Sequence, residues 1–234
     1  MLKQMMKQQG FEPRPYQWPA LAMIFYGIYN NVLCRWHRRS GKDMAFWNLI
    51  VAMARKVPGN YFYLQPTHVA ARKIIFEGVT KGGKRFVDFI PENEICRQLC
   101  SKGEMSFAFV NSSNLYIGGQ DILKEARGIT GIVSSEHFLG DEKVNKTQEA
   151  VSRYNGWVAF PFSLFRGNED KKKADRAFFQ NAQEDCSWYT EVLTVEDTLA
   201  MNSKDVQKKR KRLMNEELFQ EEMFCGRTLP PETA

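Results

Sequence analysis

Val32-Leu33-Cys34-Arg35-Trp36-His37-Arg38-Arg39-Ser40-Gly41-Lys42-Asp43-Met44-Ala45-Phe46-Trp47-Asn48-Leu49-Ile50 is an apolar strand, a basic turn and an apolar helix in direct succession. A strand that turns through Gly-Lys into a helix is where a phosphate-binding loop belongs. Loop and helix N–H groups cradle phosphates, the lysine reaches the β- and γ-phosphates, and a following hydroxyl holds magnesium. Gly41 and Lys42 stand in their places. Against the usual Gly-x-x-x-x-Gly-Lys-Ser/Thr, Trp36 takes the first glycine position and Asp43 the hydroxyl position. A Gly-Lys pair alone equally fits a helix start after a basic turn, and the rest of the chain decides between the two.

Outward from the loop, strand and helix signals alternate. Tyr16 to Tyr29 carries apolar residues at helical spacing, and Asp43 to Ala54 continues as a helix up to the break at Pro58-Gly59. Tyr61-Phe62-Tyr63-Leu64 reads as a strand, and Val69 to Val79 as a helix capped by Thr67. Ser106 to Val110 and Asn114 to Ile117 read as an inserted β-hairpin, Gly131 to Glu136 as a strand ending in an acid, Asp141 to Tyr154 as a helix, and Gly156 to Phe160 as a buried strand. This order predicts an α/β fold with a mainly parallel sheet flanked by helices. From Ala174 onward, Trp188 to Thr194 reads as a last strand before charged helical sequence. The expected division is a core over 1–173 and a small lid-like subdomain over 174–234.

The chain has 234 residues, 43% of them hydrophobic, enough to bury a full core. Its longest apolar run, Ala20 to Tyr29, is too short to cross a bilayer, and no signal peptide is visible at the start. Five scattered cysteines make neither a disulfide framework nor a zinc site, so reduced thiols are expected. A net charge of +6 favours polyanionic partners. The basic clusters are Lys171-Lys172-Lys173 with Arg176, and Lys208 to Arg212. Glu216, Glu217, Glu221 and Glu222 follow the second, which fits a helix held by its own charge pairs as well as a DNA-binding face.

ATP hydrolysis needs a phosphate cradle, a cation with two groups to hold it, and an acid to activate water. Glu136 is that acid by position. The usual strand ends in Asp-Glu, whereas this one ends in Ser135-Glu136, so the loop has a carboxylate where a hydroxyl is expected and the strand a hydroxyl where a carboxylate is expected. Asp43 and Ser135 together still supply one of each for magnesium, with their positions exchanged. Surface or capping roles for both are the alternative.

Arg14-Pro15-Tyr16-Gln17, Arg38 to Asp43, Gln65-Pro66-Thr67, Arg127-Gly128 before Val133-Ser134-Ser135-Glu136, Ser163 to Asn168, and Trp188 with Leu193 to Thr198 follow one another much as in the large terminase subunits of tailed bacteriophages. The resemblance covers roughly residues 11 to 228. It implies a P-loop NTPase of the ASCE type with a C-terminal lid, using ATP and magnesium (Mg2+) to drive double-stranded DNA into a prohead. It further implies a ring-shaped homo-oligomer, a portal protein and a small terminase subunit as partners, no membrane, and a viral protein in the host cell cytoplasm. Residue by residue it implies that Gln17 reads adenine with Tyr16 beside the base, that Ser40, Gly41, Lys42 and Asp43 bind the nucleotide, and that Arg38 or Arg39 answers the γ-phosphate. It casts Glu136 as the catalytic glutamate, Arg127 as an arginine finger reaching a neighbouring subunit, and Ser163 and Arg166 as the coupling motif. Arg127 as a structural turn residue stands beside that role. The family's coupling motif, commonly Ser/Thr-Thr-Pro-Arg-Gly, is Ser163-Leu164-Phe165-Arg166-Gly167 here. The nuclease that usually follows the motor has no room after Glu222, so an ATPase without nuclease is expected. A helicase-like nucleic-acid remodelling ATPase and a non-catalytic nucleotide-binding scaffold remain the competing functions.

Overall fold

The computed structural model describes residues 1–80, 82–100, 104–124, 126–136, 142–163, 169–213 and 215–225. In chain order the elements are α1 (Leu2–Gln8), α2 (Trp18–Phe25), β1 (Asn31–Trp36), α3 (Lys42–Lys56), β2 (Asn60–Leu64), α4 (His68–Ala71), β3 (Ile95–Cys100), β4 (Met105–Phe109) and β5 (Asn114–Gly118). They continue with β6 (Ile129–Ser134), α5 (Glu142–Ser152), β7 (Trp157–Phe162), α6 (Glu169–Glu184), β8 (Trp188–Leu193), α7 (Val195–Thr198), α8 (Ser203–Leu213) and α9 (Glu216–Phe224).

Eight strands form one sheet in the order β3-β4-β5-β2-β6-β7-β1-β8. The pairs from β5 to β8 are parallel, and β3-β4-β5 is an antiparallel meander on one edge. Parallel strands buried on both faces must alternate their side chains between two cores. Val32, Cys34 and Trp36 of β1 pack with α1, α2 and α3, whereas Leu33 faces the second core; Trp157 and Ala159 of β7 take the first face, and Val158, Phe160 and Phe162 the second. Every residue of α3 from Ala45 to Ala54 is buried, so this helix is apolar all round rather than on one stripe.

The mainly parallel α/β expectation holds, with three local differences. β3 leaves no signal in the sequence because an edge strand with exposed Arg97 and Gln98 shows no apolar alternation. The helix expected over Val69 to Val79 is α only to Ala71, then a π turn over Arg72–Phe76, although Thr67 does cap it by accepting from the Ala70 N–H at 3.0 Å. A boundary at 173/174 would cut α6, and β8 lies in the main sheet beside β1, so the separate C-terminal core begins at Val195. That third core gathers Val195, Phe219, Met223 and Phe224.

Gly131 sits in β6 directly under Trp157 of β7. A Cβ there would lie 2.3 Å from the indole Cε2, closer than any real contact. Gly131→Ala is expected to destabilise the fold by about 1–3 kcal/mol through overpacking, read as a lower urea midpoint at unchanged slope.

Candidate active site

The loop expected to bind phosphate leaves the end of β1 and is tied down on three sides. The His37 N–H donates to the Leu193 carbonyl at the end of β8 (2.9 Å), and the Arg38 N–H to the Glu222 carbonyl of α9 (2.9 Å). The Ser40 carbonyl accepts from Tyr16 Oη (2.7 Å) and Gln17 Nε2 (2.9 Å). Two left-handed residues, Arg39 (φ 74°) and Gly41 (φ 80°), make the turn that delivers Lys42 to the first turn of α3. Ser40 is fully buried and its Oγ has no partner among the described residues, a donor beside the helix N-terminus.

The acid comes from the end of β6, separated from β1 by β7 alone. The Ser135 N–H donates to the Leu64 carbonyl (2.9 Å) and the Glu136 N–H to the Pro161 carbonyl (3.0 Å), so the neighbouring strands hold both residues. Glu136 sits at φ 57°, a strained conformation for a non-glycine residue that costs on the order of 1–3 kcal/mol and clusters at functional sites. Its Oε1 lies 2.6 Å from Lys42 Nζ and accepts from Ser163 Oγ at 2.8 Å, Ser163 being the first residue after β7. Ser135 Oγ donates to Asp43 Oδ1 at 2.7 Å, and Lys42 Nζ lies 3.9 Å from Asp43 Oδ2. Burial works against the Lys42 ammonium, but Asp43 and Glu136 outweigh it and raise the pKa above the ordinary lysine value. Burial, with Asp43 adding to it, likewise pushes the phenol of Tyr63 up, keeping it neutral beside the site.

Asp43, Ser135, Glu136, Lys42 and Ser163 are therefore one connected cluster. Asp43 and Ser135 are hard oxygen donors, one anionic and one neutral, which fits magnesium: that ion takes one or two protein ligands and completes its shell with phosphate and water. Among the described residues no group of three metal-ligating side chains forms a cage of its own.

The remaining expected residues fall in three places. Gln17 is 2% exposed and fully engaged, its Oε1 accepting from the Arg14 N–H (3.0 Å), so here it braces the loop. Tyr16, edge-on to Trp36, stays half-buried beside it. The Arg38 guanidinium is paired with Glu222, while Arg39 is exposed. Arg127 is exposed before the opposite end of β6, a strand that spans about 17 Å at 3.3 Å or so per residue. It lines a cleft of about 400 Å3 with Asn60, Phe62, Glu104 and Tyr116. It cannot serve the site of its own chain. Arg166 lies outside the described residues.

Residues that local sequence patterns missed are Glu222, Lys209 and the His37–Thr198 pair. All are contacts across more than 150 positions, except the Lys209–Glu222 pair (2.8 Å), which joins neighbouring helices.

These features define a P-loop ATPase fold with a loop lysine facing a strand-end glutamate. No known family profile matches the chain, and no curated protein matches it in sequence. Solved structures do. The large terminase ATPase domain of Thermus phage P74-26 superimposes with a TM-score of 0.65 at 14% identity, covering 93% of this chain and 95% of that one. A large terminase of a thermophilic bacteriophage solved with ADP gives 0.66 at 13% identity, over 91% of this chain and 53% of that one. The HK97 bacteriophage large terminase gives 0.63 at 11%, over 91% and 50%. The chain thus has the fold of large terminase ATPase domains and spans about half the length of the two longer terminases.

His37 reports on the junction between loop and C-terminal core. It is fully buried; Nδ1 donates to the Arg38 carbonyl (2.7 Å), leaving Nε2 to accept from Thr198 Oγ1 (2.7 Å). Burial, with Lys42 and Arg14 nearby, pushes its pKa down to about 4. The unfolded chain binds a proton at the ordinary value of about 6.5 and the folded chain does not, so this contribution is whole above that pH and lost as pH falls toward 4. Urea midpoints of the native protein should fall over this window, and His37→Gln should flatten the decline; an equal decline in both would remove His37 as its source.

Proposed function

We propose that this chain is the ATP-hydrolysing motor of a large terminase, acting on double-stranded DNA during viral genome packaging. The observation that carries it is the convergence of Lys42, Asp43, Ser135 and Glu136 at the carboxyl ends of β1 and β6, on a fold matched over nearly all of one terminase ATPase domain.

The chemistry follows from the cluster. Phosphates of ATP entering the loop would meet the N–H groups at the start of α3, the buried Ser40 hydroxyl and the Lys42 ammonium. New anions beside Lys42 release Glu136 from its ion pair. Ser163 keeps hold of the freed carboxylate, which then takes the proton of the attacking water. Asp43 and Ser135 would hold the magnesium that accompanies ATP, which supplies charge neutralisation between the phosphates. Arg39, exposed in the loop, is the better placed of the two loop arginines to answer the γ-phosphate, because Arg38 is committed to Glu222. Arg127, on the far end of the sheet, acts only on a neighbouring subunit's nucleotide and so requires the ring homo-oligomer. Ser163 begins the coupling segment that continues through Arg166. Portal protein and small terminase subunit are the packaging partners, and the host cytoplasm is the place of action.

The helicase-like alternative is weaker in fold: S. cerevisiae dbp5, in a complex with nup159, gle1, ip6 and adp, superimposes with a TM-score of 0.50 over 82% of this chain. A non-catalytic scaffold differs in hydrolysis. With magnesium present, Asp43→Ala and Glu136→Gln should each lower phosphate release at least about 100-fold, and Glu136→Gln should still bind an ATP analogue. Near-normal hydrolysis in Asp43→Ala would refute the exchanged cation site; near-normal hydrolysis in Glu136→Gln would refute its role as base.

A further inference from the structure

The charges of α8 divide into two sets. Lys209 Nζ lies 2.8 Å from Glu222 Oε2, and Arg210 Nε 2.8 Å from Glu216 Oε2 with its guanidinium over the Phe219 ring at 5.6 Å. These two fasten the helix to α9. Val206 and Leu213 pack inward on the third core with Met201. Lys204, Lys208 and Lys211 recur at i, i+4 and i+7 on one face, exposed and without acidic partners among the described residues, and with Gln207 they line a shallow groove of about 350 Å3. Arg212 is exposed beside them, and Asp205 is the one acid of the helix, in its first turn. Of the two readings open for this basic run, a helix held by its own charge pairs therefore accounts for two of its residues only.

We infer that the Lys204–Lys208–Lys211 face of α8 binds the phosphate backbone of double-stranded DNA. This rests on the motor function proposed above and assigns the duplex-contacting surface. Charge complementarity selects the partner. The three lysines span about 10 Å at 1.5 Å per residue, and one strand of a duplex presents a phosphate every 3.4 Å or so along its axis, so the row meets about three phosphates. Anchoring through Lys209 and Arg210 orients the row before any ligand arrives, which lowers the ordering cost of binding. A lipid surface is disfavoured because the apolar residues of α8 face the core, leaving this side nothing to insert between acyl chains.

Fluorescence anisotropy with a short duplex of mixed sequence, titrated at several salt concentrations, tests this on the whole chain. The variant is Lys204→Gln/Lys208→Gln/Lys211→Gln. A charge-matched control, Lys3→Gln/Lys7→Gln/Lys73→Gln, removes three exposed lysines elsewhere. The α8 variant should show a slope of log affinity against log salt shallower by about 2.7, so that a fourfold rise in salt costs the native protein about 40-fold more affinity than the variant. The control should keep the native slope, and all three proteins should bind an ATP analogue alike. Equal losses in both triple variants would reduce the effect to net charge and overturn the inference, as would an unchanged slope in the α8 variant. In either case native duplex binding and ATP hydrolysis would leave the motor standing. Absence of salt-dependent duplex binding by the native protein would overturn both, and binding instead to phosphatidylserine vesicles would mark the face as a lipid contact.

Discussion

The ammonium of Lys42 is buried, and a buried cation is tolerable only beside an anion. Much of the architecture answers that demand. β1 brings the lysine to the carboxyl edge of the sheet, and β6, two strand spacings or about 10 Å away, brings Glu136 to meet it. The strand between them, β7, ends in Ser163, which holds the same carboxylate oxygen. A different strand order would leave either the lysine or the glutamate charged and alone in a site where breaking such a pair costs about 3–5 kcal/mol. The Gly131 contact with Trp157 belongs to the same requirement, because it sets β6 close against β7 below the site.

The same pair is the centre of a connected set of contacts. Glu136 shares its Oε1 between Lys42 and Ser163, and Asp43 accepts from Ser135. Both carboxylates are thus satisfied by groups that phosphate and cation chemistry would also use.

What was legible in the sequence was local. The loop, its helix, the strand-end acid and the Thr67 cap each declare themselves within a few residues, and Asp43 and Ser135, complementary in chemistry, meet in one hydrogen bond. Gln17 shows where such inference weakens: its neighbours mark a nucleotide motif, but whether its amide faces a base or a loop carbonyl depends on Ser40, more than twenty positions on. β8 read as part of the C-terminal unit because it follows the change in composition, while parallel pairing to β1 is a property of the sheet and leaves no mark in the strand itself. The glutamates after α8 read as partners of their own helix pair, yet Glu222 reaches the loop after β1.

Glu222 ties that loop to the C-terminal core. Its side chain meets Arg38 from the loop and Lys209 from α8, and its carbonyl accepts the Arg38 N–H. Burial alone would raise its pKa, but Lys209 and Arg38 more than offset this and hold it below the ordinary glutamate value, so it stays charged. A charged carboxylate only 2% exposed leaves little room for gradual motion: sliding α9 away by one or two ångströms would separate it from both cations before water could replace them. The C-terminal core is therefore held to the loop by specific pairings rather than by loose packing. His37, bonded at one nitrogen to the Arg38 carbonyl and at the other to Thr198 of α7, ties a second point of the same junction, and being neutral it does so without adding a cation to compete with Lys42. These two side chains join the loop to the C-terminal core. Arg39, the one loop arginine outside this junction, is left exposed at its left-handed turn.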